Sequence, residues 1–230
     1  MSQLSIIVPV LNEAAAIAAH LAALAPLRAR GTEIIVVDGG SEDGTAGQAR
    51  AHADRVLAAP RGRASQMNAG ARAANGDVLL FLHADTRLPD GADRLIRDAL
   101  ATTGRVWGRF DVAIEGRHPL LPVVAALMNA RSRLTGIATG DQVIFVTRAA
   151  FTAAGGYANL PLMEDLVLSR ALKRLSRPAC IAARAKTSGR RWETHGVLRT
   201  ILTMWRLRLA FFMGADPRGL AAVYGYRPRA

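Results

Sequence analysis

Three runs of apolar residues constrain the fold more than any other feature of this 230-residue sequence. They read SIIVPV at 5–10, EIIVV at 33–37 and DVLLFL at 77–82, the length of strands that are buried on both faces. Asn12 is predicted to cap the helix that follows the first strand, and Pro26 to mark its end. Helices are predicted at 11–24, at 46–53 and at 66–74, and a brief strand at 55–57. This alternation predicts a parallel sheet with helices on both faces.

Beyond residue 100 the pattern changes. The segment RVWGRFDVAI, at 105–114, alternates in polarity and predicts a half-exposed strand. Further elements are predicted as a helix at 119–134, a strand at 141–147, a helix at 164–175 and a long apolar and basic helix at 196–213. There is no internal repeat or low-complexity linker, and 50% of the residues are hydrophobic. The chain, 1–230, is therefore predicted to form one domain with a substantial core.

The net charge of +12 is concentrated near the end of the chain. Between residues 184 and 230 the sequence has ten Arg and Lys but only two acidic residues, Glu193 and Asp216, so the net charge of this segment is +8. Such a basic segment suits nucleic acid, anionic lipid or a phosphorylated substrate, or reflects an arginine-rich composition. The single cysteine, Cys180, excludes an internal disulfide and favours a reducing compartment. With no leader pattern and no spanning run, a cytoplasmic location is expected.

Polar side chains follow three of the predicted strands at the point where each ends. Asn12 and Glu13 follow the first strand, Asp38 the second, and His83 and Asp85 the fourth. The carboxyl ends of parallel strands meet at one edge of the sheet, where ligands bind. Any one of these groups alone is explained by capping or solvation, but three sets at one edge predict a binding site.

Four segments together resemble the family-2 glycosyltransferases of the GT-A fold. They are SIIVPVLNE, EIIVVDGGSEDGT, NAGARAANGDVLLFLHADT and LMEDLVLSRALKR, and they match in order and spacing over about residues 4–192. The match is nearest to a small, single-domain branch that carries a His-Ala-Asp triplet. The resemblance implies an α/β fold with a mostly parallel, Rossmann-like central sheet flanked by helices, a smaller mixed acceptor-side portion and a C-terminal helix.

The resemblance also divides the chain by role. It implies a nucleotide-sugar-binding half at 1–100, an acceptor and catalytic half at 101–195, and a basic apolar C-terminal helix and tail at 196–230. A nucleotide-sugar donor loses a diphosphate, which a divalent cation can neutralise. The family's Asp-x-Asp motif reads His83-Ala84-Asp85 here, so Asp85 is the implied ligand for Mn²⁺ or Mg²⁺. His83 replaces the first Asp, which in relatives often meets the ribose, and a nitrogen ligand favours a metal such as Mn²⁺. His83 is therefore interpreted either as a metal ligand or ribose contact, or as a packed side chain.

The family's donor-binding positions fall on a larger set of residues. They are Pro9, Asn12, Glu13, Asp38, Gly40, Arg63, Gln66, Asn68, His83, Ala84, Asp85, Arg191 and Trp192. Asp38 corresponds to the carboxylate that accepts the imide N–H of the base, which favours a UDP-sugar. Arg61 and Arg63 are expected near the base or diphosphate. Gln66 and Asn68 are expected to open a helix whose N–H groups favour anions.

Glu164 and Asp165 open the helix predicted at 164–175. In the family the second acid of the pair is the general base that deprotonates the acceptor hydroxyl, so Asp165 is the implied base and the anomeric configuration should invert. Acids at a helix start also offset its dipole, which is the structural alternative. His195 is a candidate third metal ligand. The segment TGDQ, at 139–142, is expected on the acceptor side.

The implied partners are a nucleotide-sugar donor and an unknown hydroxyl acceptor. The helix at 196–213 interleaves arginines with aromatic residues, which suits an anionic membrane surface and a lipid or membrane-bound acceptor; packing against the domain with snorkelling arginines is equally compatible. A nucleotidyltransferase of similar fold and a non-enzymatic basic module binding membrane or nucleic acid are the alternatives. A nucleotidyltransferase would need a glycine-rich phosphate loop after the first strand, which this sequence lacks. Binding of nucleic acid is disfavoured. A phosphatase of the Asp-x-Asp-x-Thr type would need a nucleophilic Asp where His83 stands.

Overall fold

The computed structural model describes residues 3–225 and shows an α/β protein built on one eight-stranded sheet. The strands are β1 (Leu4–Val10), β2 (Glu33–Asp38), β3 (Arg55–Ala58), β4 (Val78–Phe81), β5 (Thr86–Arg87), β6 (Trp107–Glu115), β7 (Ile144–Thr147) and β8 (Ala179–Ser188). Their order across the sheet is β3-β2-β1-β4-β7-β6-β8-β5. The first four strands run parallel, β7 runs antiparallel to both β4 and β6, and β6 and β8 are parallel. The mostly parallel sheet with a mixed second half confirms the predicted fold class.

Helices cover both faces of this sheet. They are α1 (Ile17–Ala22), α2 (Ala25–Arg28), α3 (Thr45–Ala49), α4 (Arg63–Ala73), α5 (Ala92–Thr103), α6 (Leu121–Thr135), α7 (Arg148–Ala153), α8 (Glu164–Lys173), α9 (Arg190–His195), α10 (Val197–Phe212) and α11 (Pro217–Val223), with a 3₁₀ turn at Gly140–Gln142. Alternate residues of β1 and β2 enter two different apolar clusters, one on each face, as the period of two requires. Both central strands are therefore buried throughout.

The strand order reverses at β1. From this strand the chain passes to β2 and β3 on one side and to β4 on the other. Where the connections after two neighbouring strands run in opposite directions, a crevice opens outside the carboxyl ends of the strands. Open α/β sheets bind their ligands in this crevice. The reversal places the segments after β1 and after β4 side by side, as the sequence predicted.

Several predicted boundaries were wrong. The first helix begins at Ile17, so Asn12 does not cap it, and it ends at Ala22; Pro26 follows this end but lies in the first turn of the next helix, α2. A proline is tolerated there because the first helical N–H groups have no intrahelical partner. Helix α4 begins at Arg63, three residues before the predicted start. Gln66 therefore lies within this helix and does not open it.

Strand β6 was predicted to be half-exposed, but both faces of its first half are buried. Trp107 and Arg109 are each 0% exposed. The indole N–H of Trp107 donates to the Ser176 carbonyl, and Arg109 forms an ion pair with Asp111 and donates to Ser132 of α6. In this strand the charged side chain of Arg109 is therefore buried and fully paired, and it does not mark a solvent-exposed face.

Along residues 3–225, no helix has both the length and the apolar character needed to cross a bilayer.

Candidate active site

A cavity of about 230 Å³ opens at the carboxyl ends of β1 and β4. Its lining residues are Pro9, Val10, Leu11, Glu13, Arg61, Gly62, Arg63, Gln66, His83, Ala84 and Asp85. Seven of the predicted donor-binding residues therefore meet around one space, namely Pro9, Glu13, Arg63, Gln66, His83, Ala84 and Asp85. The two segments come together because β1 and β4 are hydrogen-bonded neighbours.

His83 reaches from the end of β4 to the 3₁₀ turn. A Cβ on Gly140 would lie 2.3 Å from Cε1 of His83, so only glycine leaves room for the ring at this place. The Nδ1 atom of His83 lies 3.9 Å from Oδ1 of Asp141. The close approach fixes the imidazole between the donor cavity and the start of β7.

Asp165 is held by two backbone N–H groups. Gly140 donates to Oδ2 and Leu166 to Oδ1, each at 2.8 Å. The neighbouring Glu164 is buried, and its Oε1 lies 3.2 Å from Nε of Arg63. Burial raises the pKa of Glu164, while the positive charge of Arg63 opposes that rise. Glu164 is thus committed to Arg63, and Asp165 is the half-buried carboxylate of the pair.

The carboxylates from separate segments share one region. Partial burial raises the pKa of Asp141; the nearby charges of Asp85 and Asp165 raise this pKa further, while His83 lowers it. Asp141 therefore lies within electrostatic reach of both the candidate metal ligand and the candidate base. The 3₁₀ turn connects the two groups, with Gly140 bonded to Asp165 and packed on His83.

Backbone strain is localised in the same region. Among the non-glycine residues of 3–225, Asn12, Val143 and Met163 have positive φ, at 54°, 52° and 70°. One follows β1, one follows the 3₁₀ turn, and one immediately precedes Glu164. Left-handed conformations cost energy for such residues and cluster at functional sites. Here they adjoin Glu13, the 3₁₀ turn and Glu164, respectively.

Gln66 braces the carboxyl ends of β1 and β2. Its Nε2 donates to the carbonyls of Val10 and Val37, each at 2.8 Å, which uses both amide hydrogens. The carbonyl oxygen of Gln66 remains as an acceptor in a residue that lines the cavity. Asn68, by contrast, exchanges hydrogen bonds with the backbone of Tyr157 and does not line the cavity.

Asp38, Gly40 and Asn12 stabilise loops instead of lining the cavity. Asp38 accepts hydrogen bonds from the N–H groups of Gly40 and Ser41 at 3.1 and 3.0 Å, and from the Ser41 hydroxyl. Asn12 donates its N–H to the Ser41 hydroxyl and accepts the N–H of Glu42. The carboxylate that was expected to meet the base is therefore engaged by its own turn.

The segment after β8 contributes a different arginine from the one predicted. Burial raises the pKa of Glu13 and the charge of Asp85 adds to this rise, while the positive charge of Arg190 opposes it. Arg190 thus lies within electrostatic reach of Glu13, which lines the cavity. Sequence reasoning did not single out Arg190, since two adjacent arginines on a short helix point in different directions.

The other three residues predicted in this segment lie elsewhere. The Arg191 guanidinium stacks 3.5 Å from the centroid of the Tyr224 ring. Trp192 packs beside the apolar cluster shared by β6, α6 and α10. His195 is exposed and lines a separate cavity of about 340 Å³ with Arg191. The structure therefore does not bring His195 to the cavity of His83 and Asp85.

Within residues 3–225, no three His, Cys, Asp or Glu side chains are grouped so as to hold a metal ion. Asp85 is exposed, and one of its oxygens accepts a weak bond from the Thr86 hydroxyl at 3.2 Å. The other oxygen accepts none from the described part of the chain. Mg²⁺ and Mn²⁺ are commonly held by one or two side chains together with substrate phosphates and water. The residues present fit a cation that arrives with a diphosphate.

The fold and this cavity define a ligand-binding α/β enzyme whose chemistry lies at a topological switch point. The model of glycosyl transferase family 2 matches residues 5–123, which is 119 of the 230 residues, so the chain belongs to this family. It is a glycosyltransferase of the GT-A fold. A search of curated proteins finds no match.

Solved structures share the fold at low sequence identity. Glucosyl-3-phosphoglycerate synthase from Mycobacterium tuberculosis, solved with Mn²⁺, uridine diphosphate and phosphoglyceric acid, is 22% identical with a TM-score of 0.59, over 81% of this chain and 69% of that one. Mannosyl-3-phosphoglycerate synthase from Rubrobacter xylanophilus is 19% identical with a TM-score of 0.60, over 93% and 75%. A mannosyltransferase from Pyrobaculum calidifontis, solved with GDP-mannose and Mn²⁺, is 21% identical with a TM-score of 0.62, over 91% and 61%.

Proposed function

We propose that this glycosyltransferase moves a sugar from a nucleotide-diphosphate donor to an acceptor hydroxyl with inversion of the anomeric centre, and that it requires Mn²⁺ or Mg²⁺. One observation carries the proposal. The 3₁₀ turn at Gly140–Gln142 joins the donor cavity, with His83 and Asp85, to the carboxylate of Asp165. A single base beside the donor, without a nucleophile, is the arrangement that a direct displacement needs.

On the donor side, Asp85 and His83 would hold the cation, which would neutralise the charge of the departing diphosphate. Arg61, Arg63 and Arg190 supply positive charge around the same cavity. Uridine diphosphate is the proposed nucleotide, supported by likeness to the Mycobacterium tuberculosis enzyme, which was solved with it. Since Asp38 is held by its own turn, the carbonyl of Gln66 is the proposed acceptor for the imide N–H.

On the acceptor side, Asp165 is the proposed base. Its two backbone hydrogen bonds fix the orientation of the carboxylate without neutralising it, so it can accept the hydroxyl proton as the new bond forms. Glu164 has a separate role because it pairs with Arg63. This pair connects the base segment to the wall of the donor cavity.

The donor half is tested by calorimetry with uridine diphosphate, with and without Mn²⁺. Asp85→Ala is expected to abolish the metal-dependent part of the binding. Asp98→Ala, which removes an exposed carboxylate of α5, is the matched control and is expected to bind as the wild type does. Undiminished Mn²⁺-dependent binding by Asp85→Ala would remove Asp85 from the metal site.

We also propose that α10 rests on an anionic membrane surface. Five exposed apolar side chains recur along it at alternating steps of four and three residues, namely Leu198, Leu202, Trp205, Leu209 and Phe212. Trp205 is 72% exposed. Arg199 and Arg206 flank this stripe, and the helix contains no acidic residue. An apolar stripe with basic flanks is the composition of an interfacial helix.

The charge pattern favours lipid over a second copy of the chain. A two-fold dimer through the same stripe would bring these arginines against their counterparts. The test is sedimentation with phosphatidylglycerol or phosphatidylcholine vesicles, together with the emission of Trp205. Selective binding to the anionic vesicles with a blue shift is expected, and it should be lost in Leu202→Ser/Leu209→Ser but kept in Leu175→Ala. A stable dimer that buries Trp205, or equal binding to both vesicles, would contradict the proposal.

A further inference from the structure

Two arginines near Asp165 lack the partners that buried cations normally have. The Nε and Nη2 atoms of Arg131, on α6, are buried without a hydrogen-bond partner in the described chain. Neither Arg131 nor Arg208, on α10, lies within 4 Å of a carboxylate oxygen among residues 3–225. Burial lowers the pKa of Arg131 to about 10. Both side chains nevertheless remain charged at neutral pH, so each is a desolvated cation without a counter-ion.

The packing of α6 on α10 explains why the two arginines face each other. Val124 and Met128 of α6 share an apolar cluster with Val197 and Ile201 of α10. Arg131 follows Met128 by three residues, and Arg208 follows Ile201 by seven. Both spacings keep the same helix face. The two arginines thus extend the interface between α6 and α10 beyond its apolar residues.

This end of the interface between α6 and α10 lies within electrostatic reach of Asp165, the proposed base. The charge of Arg208 lowers the pKa of Arg131, and the charge of Asp165 raises the pKa of both arginines. The remaining charged or titratable neighbours are Arg109 for Arg131, and Asp141 and Tyr224 for Arg208. Two mutually repelling cations, of which Arg131 has buried donors without a partner, are stabilised when an anion completes the site.

We propose that Arg131 and Arg208 bind an anionic group of the acceptor, a phosphate or a carboxylate, next to the hydroxyl that Asp165 deprotonates. This inference rests on the proposed glycosyl transfer. The acceptor is favoured over the donor diphosphate because neither arginine lines the cavity of His83 and Asp85. A guanidinium pair offers planar, bidentate donors that match such oxygens.

The test is thermal unfolding of the full chain during titration with inorganic phosphate. A ligand that binds only the folded state raises the melting temperature by mass action. Arg208→Met is expected to weaken the apparent phosphate affinity at least tenfold and, because it removes a half-buried charge that has no carboxylate partner, to melt no lower than the wild type without phosphate. Arg131→Gln is the second variant. Arg174→Ala/Arg177→Ala, which removes two exposed charges, should respond to phosphate as the wild type does.

Titration with phosphatidic acid vesicles distinguishes a lipid-borne anion from a soluble one. Titration with uridine diphosphate and Mn²⁺ separates the anion site from the proposed donor site. Response to phosphatidic acid vesicles but not to inorganic phosphate would support a lipid-borne group, and the reverse a soluble one. An equal response of wild type and Arg208→Met to whichever of the two probes the wild type binds overturns the site, as does a wild type that binds neither. Loss of Mn²⁺-dependent uridine diphosphate binding in Arg208→Met would assign the pair to the donor and overturn the acceptor role. A wild type that binds phosphate through Arg208 but no uridine diphosphate would refute the proposed donor alone.

Discussion

His20 makes the stability of the protein depend on pH in a way that one substitution should isolate. The side chain lies in α1, is 8% exposed, and its Nε2 atom has no hydrogen-bond partner in residues 3–225. Desolvation lowers its pKa from 6.5 to about 4, although the charge of Asp85 opposes this change. His20→Leu replaces the imidazole by an apolar side chain that cannot titrate.

The magnitude follows from linkage between protonation and folding. The unfolded chain binds the proton at pH 6.5, whereas the folded chain resists protonation until about pH 4, so stability falls as pH decreases between these values. At about 1.4 kcal/mol per pH unit, the loss from pH 7 to pH 4.5 is roughly 2 kcal/mol. Above pH 6.5 the contribution of His20 is constant.

The assay is urea unfolding of wild type and His20→Leu at several pH values from 7 to 4.5. Other acids titrate in both proteins, so the difference between the two curves reports His20 alone. The difference is expected to grow by roughly 2 kcal/mol toward low pH. Ile17→Val, a change in the same helix that cannot titrate, serves as the control and should run parallel to the wild type. Parallel curves for His20→Leu would refute the reasoning.

Three further predictions concern the site. Asp165→Asn should keep donor binding but lower turnover by roughly 10²–10⁴-fold; normal turnover would exclude Asp165 as the base. Gly140→Ala places a Cβ 2.3 Å from Cε1 of His83 and should destabilise by about 1–3 kcal/mol in thermal unfolding, with His83→Ala in the same chain relieving most of this loss. Arg190→Ala should raise the KM for the donor about tenfold, the effect of losing one hydrogen bond to a charged group, because it removes a positive charge near the cavity. Arg191→Ala, whose guanidinium lies on an aromatic ring, should not.

The sequence predicted the central strands of the sheet well because strands buried on both faces consist of continuous runs of apolar residues. The runs at 5–10 and 33–37 became β1 and β2 within one residue at each end. The edge where polar residues gather was also predictable, since carboxyl ends of parallel strands coincide. Strand β8 was missed because its sequence, ACIAARAKTS, alternates weakly. It forms through pairing with β6 and β5, which are distant in sequence.

Side-chain direction was the part that the sequence could not determine. A strand end shows that Asp38 lies at the right edge, but not that two backbone N–H groups of the next turn would occupy its carboxylate. In the same way, Arg190 and Arg191 are equivalent in a motif and differ only once α11 places Tyr224 against one of them. Residue type and position limit the candidates, and packing selects among them.

Helix α10 carries both proposed binding surfaces, which makes them separable. The stripe of Leu202 and Leu209 is exposed, whereas Arg208 is half-buried on the face toward α6 and Asp165. At 3.6 residues per turn, Arg208 lies roughly 100° around the helix from Leu209 and roughly 120° from Leu202. Leu202→Ser/Leu209→Ser should therefore lose vesicle binding and keep the phosphate response, and Arg208→Met should do the reverse. If either variant lost both, the two faces would be one surface, and the membrane and the acceptor anion would be the same ligand.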